Sequence, residues 1–319
     1  MIRSHSFRNS NGVLASRSIA VLAAFSVALA TASSVAAQQT YSSPEEAVGA
    51  LVNAARSGGT EAIVSVLGPE GADVASSGDD VADAAGRERF VAAYDAKNAL
   101  ERDGSDKVEL ILGEQEWPFP IPLIQTDGKW SFDVEAGRDE ILARRIGRNE
   151  LSTIQAILAY VDAQNEYAEM TREKDGVAVY AQRIVSQPGK KDGLYWPTEL
   201  GERSPLGDLV AKAAAEGYTP GEGRAPYHGY YYKVLTKQGS SAEGGAYEYV
   251  AGDKMIGGFA LIAYPSEYEN SGVMTFLVNH DGIIFEKDLG SETAEIAERI
   301  MEFNPDDTWQ KAAVDDAEQ

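Results

Sequence analysis

The 319-residue chain contains no cysteine. That absence excludes disulfides, thiolate zinc sites, iron–sulfur clusters, a cysteine nucleophile and a lipid-modified N-terminal cysteine. Positive charge is scarce: 28 Lys plus Arg stand against 50 Asp plus Glu, a formal charge of -22. Phosphate backbones and anionic membranes bind stripes of Lys and Arg, so this composition argues against nucleic-acid partners. Neutral, cationic or metal-bridged partners are the expectation. Histidine is scarcer still, at three residues. Catalytic motifs are missing as well: no Gly-x-Ser-x-Gly elbow, Ser-x-x-Lys pair, His-Glu-x-x-His, P-loop or EF-hand pattern occurs. Gly221-Glu222-Gly223 is followed by Arg224-Ala225-Pro226, so the dinucleotide fingerprint fails.

What is present begins with an export signal. Arg3, Arg8 and Arg17 form a positive n-region, Ile19 to Ala30 an apolar run, and Val35-Ala36-Ala37 the small residues a signal peptidase needs. Cleavage is predicted after Ala37, which leaves a mature chain in the periplasm or outside the cell. No later stretch is long and apolar enough to span a bilayer, so the mature chain is expected not to.

Ser43-Pro44-Glu45-Glu46 is a helix start, with Ser43 as cap, Pro44 at the first helical position and Glu46 completing a capping box. Further helices are predicted over Thr60 to Leu67 and Arg87 to Leu100, with a loop or weak helix over 71–86. The period then changes to two. Lys107 to Leu112 reads as a strand. Trp117 to Gln125, with Pro118, Pro120 and Pro122 alternating, reads as an edge strand. Thr126-Asp127-Gly128 turns a hairpin into Lys129 to Val134.

From Arg138 to Glu173 the 3.6-residue period of Ile154, Ile157, Leu158, Val161 and Ala168 predicts one long helix ended by Gly176, its charged first part (Asp139 to Glu150) leaving the core. A helix over Pro205 to Glu216 follows. Strands are predicted over Tyr230 to Lys237, Gly257 to Tyr264, Val273 to Val278 and Ile283 to Lys287, then a helix over Ser291 to Phe303. The fold class is α+β. The domain scheme is a signal peptide (1–37), an α+β domain (38–137), a long helix on an antiparallel sheet (138–304) and an acidic tail (305–319) in which Trp309 docks back.

The helices and closing Asp127-Gly128-Lys129-Trp130 strand of the first domain resemble the cone-shaped nuclear-transport-factor-2-like superfamily. In the second half, Asn149-Glu150-Leu151-Ser152-Thr153-Ile154, Gly229-Tyr230-Tyr231-Tyr232 and Phe276 to Phe285 resemble type IV pilin and pseudopilin heads, whereas Asp139-Glu140 and Arg144-Arg145 stand where a pilin stem is apolar. Over its length the chain resembles an uncharacterised bacterial family, domain of unknown function 2950. The matching stretches are Trp117 to Pro122, Gly193 to Pro197, Pro205-Leu206-Gly207, Pro226 to Tyr230, Ala263-Tyr264-Pro265 and Asn304-Pro305-Asp306. That resemblance implies an exported bacterial protein and brings no activity with it.

Eleven of the 15 tyrosines lie at or beyond Tyr180. Aromatic surfaces suit sugar rings and extended peptides, and they also simply fill sheet faces. The binding candidates are Tyr195, Trp196, His228, Tyr230 and Tyr232. Tyr230 and Tyr232 share one strand face, and Tyr231 and Lys233 take the other. Asp79, Asp80 and Asp83 could hold calcium or form a solvated turn. No catalytic residue, metal ligand or cofactor is assigned. The expectation is a non-enzymatic envelope protein that contacts a protein or glycan partner. The alternative is a periplasmic hydrolase using carboxylates and Tyr.

Overall fold

A computed structural model describes residues 38–219 and 225–313. The segment predicted to direct export, with the cleavage predicted after Ala37, and the end of the acidic tail lie outside the described residues.

The N-terminal half opens with α1 (Pro44–Ser57), α2 (Thr60–Leu67), α3 (Ala72–Ala75) and α4 (Asp80–Ala96). Ser43 caps α1, its Oγ accepting from the Glu46 N–H at 3.2 Å. The Glu46 carboxylate reaches back one residue further than a capping box requires, to the Ser42 N–H at 2.8 Å. Strands β1 (Asn98–Asp103), β2 (Lys107–Leu112), β3 (Trp117–Pro118), β4 (Leu123–Thr126) and β5 (Lys129–Phe132) form an antiparallel sheet in the order β1-β2-β4-β5, with β3 on β2. Val48, Leu51, Leu67, Leu110, Leu123, Trp130 and Phe132 are buried together between helices and sheet.

Two expectations are corrected here. The helix expected over Arg87 to Leu100 starts seven residues earlier, because Asp79 caps it, and stops at Ala96. Lys97 turns extended, and Leu100 lies on β1, which zips along all of β2 around Gly104. The expected edge strand over Trp117 to Gln125 is two short pieces. The Pro120 and Pro122 positions interrupt pairing, and β4 lies inside the sheet between β2 and β5. The β4–β5 turn is as predicted, with Asp127 and Gly128 both left-handed (φ 51° and 76°).

A helix of 42 residues follows, α5 (Val134–Asp175). Asp133 caps it, it runs unbroken through Gly147, and Gly176 ends it in the left-handed conformation (φ 74°). At ~1.5 Å per residue its axis is about 63 Å long. The charged segment does not leave the core. Ile141 packs on the N-terminal core, Arg138 pairs with Asp73, and Arg145 donates to the Asp73 and Val74 carbonyls, both at 2.7 Å. Ile154, Ile157, Tyr160 and Val161 enter a second core.

That core belongs to a second antiparallel sheet. After α6 (Gly207–Glu216) come β6 (Tyr230–Leu235), the short β7 (Lys237–Gln238), β8 (Tyr247–Glu248), β9 (Val250–Ala251) and β10 (Lys254–Met255), then β11 (Ala260–Pro265), β12 (Met274–Asn279) and β13 (Ile284–Asp288). The chain closes with α7 (Thr293–Arg299) and β14 (Gln310–Lys311). Strand order is β14-β13-β12-β11-β6, antiparallel throughout. Every residue of β11 is buried. Alternation along β6 works as predicted: Tyr232 meets Thr153 of α5, while Lys233 donates to the Ala297 and Glu298 carbonyls of α7. The final helix is shorter than expected, because the chain turns at Ile300 to seat Phe303 against β7, where its N–H donates to the Lys237 carbonyl. Trp309 packs against the C-terminal core. Among the described residues no helix is long and apolar enough to cross a membrane.

Two glycines of α5 test its placement. A Cβ at Gly137 would lie 2.5 Å from the Pro120 carbonyl oxygen, whereas Gly147 has nothing within 4 Å. Gly147→Ala should therefore stabilise by about 0.5–1 kcal/mol, and Gly137→Ala should cost about 1–3 kcal/mol through backbone crowding. Denaturant titration of both variants checks this; equal stabilisation by the two would remove the α5 N-terminus from Pro120.

Candidate functional site

Between α1, α2 and α4 on one side and β2, the loop to β3 and α5 on the other lies a cavity of about 890 Å³. That is within the ~300–1,000 Å³ of small-molecule sites. Leu51, Ile63 and Leu67 supply apolar lining from the first two helices, Val81 and Phe90 from α4, and Leu112 and Phe119 from the sheet side. Small residues on α4, among them Ala82, Ala85 and Gly86, also line it.

Five arginines are among the residues lining the same cavity: Arg87 and Arg89 from α4, and Arg144, Arg145 and Arg148 from α5. Arg144 and Arg148 are one helical turn apart and project to the same side. Arg144 lies over the Trp117 ring, 5.4 Å from its centroid, and pairs with Glu140. Arg145 is fixed by the Asp73 and Val74 carbonyls and by Asn270, and burial holds its guanidinium below the ordinary range. Arg89 and Arg148 make no ion pair with a carboxylate among the described residues. Arg148 is also held down, first by partial burial and then by the like charges of Arg89 and Arg144. The Arg87 Nη1 is shielded from water and has no hydrogen-bond partner among the described residues.

Glu216, Tyr218 and His228 line one side of the cavity, and a polar cluster lies behind them. Asp79, 2% exposed, caps α4 by accepting from the Ala82 N–H at 3.0 Å. Its other oxygen accepts from the Tyr218 hydroxyl and the Gly229 N–H, both at 2.9 Å. His228 and Gly229 form a two-residue turn with both φ positive (50° and 76°) that leads into β6. Glycine is required there, since a Cβ would sit 2.7 Å from the Asn149 Nδ2. The His228 ring stands 4.2 Å from that of Tyr227, and its Nε2 faces Glu216 at 3.4 Å. Burial lowers the His228 pKa against the opposing pull of Glu216 and Asp79. Burial raises that of Tyr218, with the Asp79 charge adding to it, and pushes Tyr227 up to about 12. These phenols stay protonated, and that of Tyr218 donates to Asp79.

Of the five candidate binding residues, His228 alone is among those lining this cavity. Tyr232 lies close by, its ring 6.4 Å from Tyr227 and its hydroxyl 3.4 Å from the Thr153 Oγ1. Tyr230 is fully buried in the C-terminal core and donates to the Met274 carbonyl at 2.9 Å. Trp196 is buried against Tyr167 and donates to the Glu202 carbonyl at 2.7 Å. The Tyr195 N–H donates to the Ile184 carbonyl, and its side chain packs on the C-terminal core. Two of the three acids considered for calcium have other partners, Asp79 as above and Asp83 the Ser76 and Ser77 hydroxyls, while Asp80 is exposed in the first turn of α4. The arginines were not among the candidates. Their signal is that, in so acidic a chain, five of the 28 basic residues fall within 87–89 and 144–148.

A family model described as a protein of unknown function (DUF2950) matches residues 38–312. No curated protein and no solved structure matches the chain.

Asp79→Ala removes a helix cap and strands two donors, the Tyr218 hydroxyl and the Gly229 N–H. The expected loss is about 2–4 kcal/mol of unfolding free energy, read by denaturant titration. A loss below about 0.5 kcal/mol, the level of an ordinary surface substitution, would mean that Asp79 does not bind these groups together.

Proposed function

We propose that this chain, which belongs to the DUF2950 family, is an exported, non-enzymatic binding protein that takes the apolar part of a small molecule into the cavity beneath α4. The observation that carries this reading is a space of about 890 Å³ with Leu, Ile, Val and Phe walls, also lined by small side chains of α4. The space is a cleft open to solvent, and a largely apolar cleft of this size with a few polar groups is the usual form of a small-molecule site. Export is supported by the Arg-bearing, apolar N-terminal segment ending in Val35-Ala36-Ala37, and it sets the reading in the periplasm or beyond the cell.

The hydrolase alternative asks for an ionisable Tyr and a free acid. Burial raises Tyr218, Tyr227, Tyr230 and Tyr232 out of the range in which a phenol acts as base. Of the three cavity acids, Asp83 is taken by Ser76 and Ser77, Glu216 faces His228, and Glu114 stands near Lys97, away from these tyrosines. These pairings favour binding over turnover.

The test is uptake of a neutral solvatochromic dye such as Nile red. The wild-type protein is expected to bind it, with a blue-shifted emission. Ala85→Phe, which fills the cavity from α4, should weaken binding by about tenfold or more while circular dichroism and melting temperature hold. Undiminished binding in the filled variant would remove the cavity from the account.

A further inference from the structure

We propose that the ligand is an anionic amphiphile whose oxyanion head, a carboxylate or phosphate, rests on Arg87, Arg89, Arg144 and Arg148 at the rim of the apolar cavity. This rests on the reading of the cavity as a binding site and adds the ligand's charge. The argument is one of local contrast. The protein carries nearly two acids for each base, and against that trend five arginines are among the residues lining one cavity. Asp83, held by two serine hydroxyls, acts on Arg145, and Glu140 pairs with Arg144, but Glu216 faces His228 and Glu114 lies beside Lys97, so Arg87, Arg89 and Arg148 have no carboxylate partner among the described residues.

Beyond partial burial, the like charges of Arg89 and Arg144 disfavour the charged form of Arg148, and that repulsion costs stability. It is recovered when an anion arrives. The Arg87 Nη1 is a donor without an acceptor among the described residues; because it is shielded from water, the side chain has to turn to offer it to an anion in the cavity. Guanidinium forks match the flat, two-oxygen face of carboxylate and phosphate, and a ring of them distinguishes such a head from an alcohol. Arg144 and Arg145 are already oriented, by the Trp117 ring and by the Asp73 and Val74 carbonyls, so little side-chain freedom is lost on binding.

The experiment is calorimetric titration of the protein with decanoate, decyl phosphate, decanol, decyltrimethylammonium and inorganic phosphate. The two anionic amphiphiles should bind about tenfold or more tighter than decanol, with the advantage shrinking as salt is raised. Arg89→Gln with Arg148→Gln should remove most of that advantage and leave decanol binding unchanged. Without ligand, this double variant should melt no lower than the wild type, since it relieves repulsion. Equal binding of decanoate and decanol would overturn the anionic head and leave the cavity reading standing. Absence of binding by all four amphiphiles would overturn the cavity reading itself. Inorganic phosphate binding as tightly as decyl phosphate would replace the amphiphile by a free ion. Arginine-dependent binding to phosphatidylglycerol vesicles, with no binding of monomeric decyl phosphate, would replace it by a membrane surface. A sharp fall in the melting temperature of the double variant would make the arginines structural and overturn their assignment.

Discussion

A single helix has to bury apolar side chains in two separate cores, and the rest of the molecule is arranged around that demand. Ile141 of α5 belongs to the N-terminal core and Ile154 to the C-terminal one. At about 3.6 residues per turn the two stripes lie roughly 140° apart around the axis. Between them the helix changes the side it buries, and there its exposed surface is charged. Arg144 and Arg148 stand at this changeover, beside α4, so the geometry that joins the cores also places the cationic rim. A shorter or broken helix would leave each half with an unpaired apolar face.

Buried polar groups fix how the elements meet. Asp79 gathers the first turn of α4, Tyr218 and the turn before β6 around one carboxylate. Gln164, fully buried on α5, donates to the Ala181 carbonyl and accepts from the Ala181 N–H, both at 2.8 Å, and so pins the irregular segment after the helix. The Glu150 carboxylate accepts from the Val273 and Met274 N–H groups at 3.0 Å each, at the start of β12. In each case an acceptor on a helix satisfies backbone or hydroxyl donors of a distant segment, which apolar packing alone would leave free to slide.

The sequence makes much of this legible. The 3.6-residue period announces α5, Gly176 its end, and the Asp127-Gly128 and Asp281-Gly282 turns the hairpins. Less legible is anything set by a distant partner. Leu100 reads as helical until β2 pairs with it, and the prolines at 118, 120 and 122 read as one strand until the chain is seen to leave the sheet between them. The charged run Asp139 to Glu150 looks solvated because the carbonyls of Asp73 and Val74 that receive Arg145 lie 72 and 71 residues away in sequence. His228 stood out because histidine is scarce and tyrosines surround it. The arginines were hidden because net charge averages over the whole surface, whereas a ligand meets only the few side chains that line its site.

The account's central claim is that α5 is one helix held on both sides along its length, including its charged middle. Hydrogen exchange followed by mass spectrometry reads this directly in peptides from residues 139–150 and 154–168. Comparable slow exchange in both segments is the predicted result. Rapid exchange confined to residues 139–150, with 154–168 protected, would show a helix anchored only in the C-terminal core and would leave the arginine rim without its support.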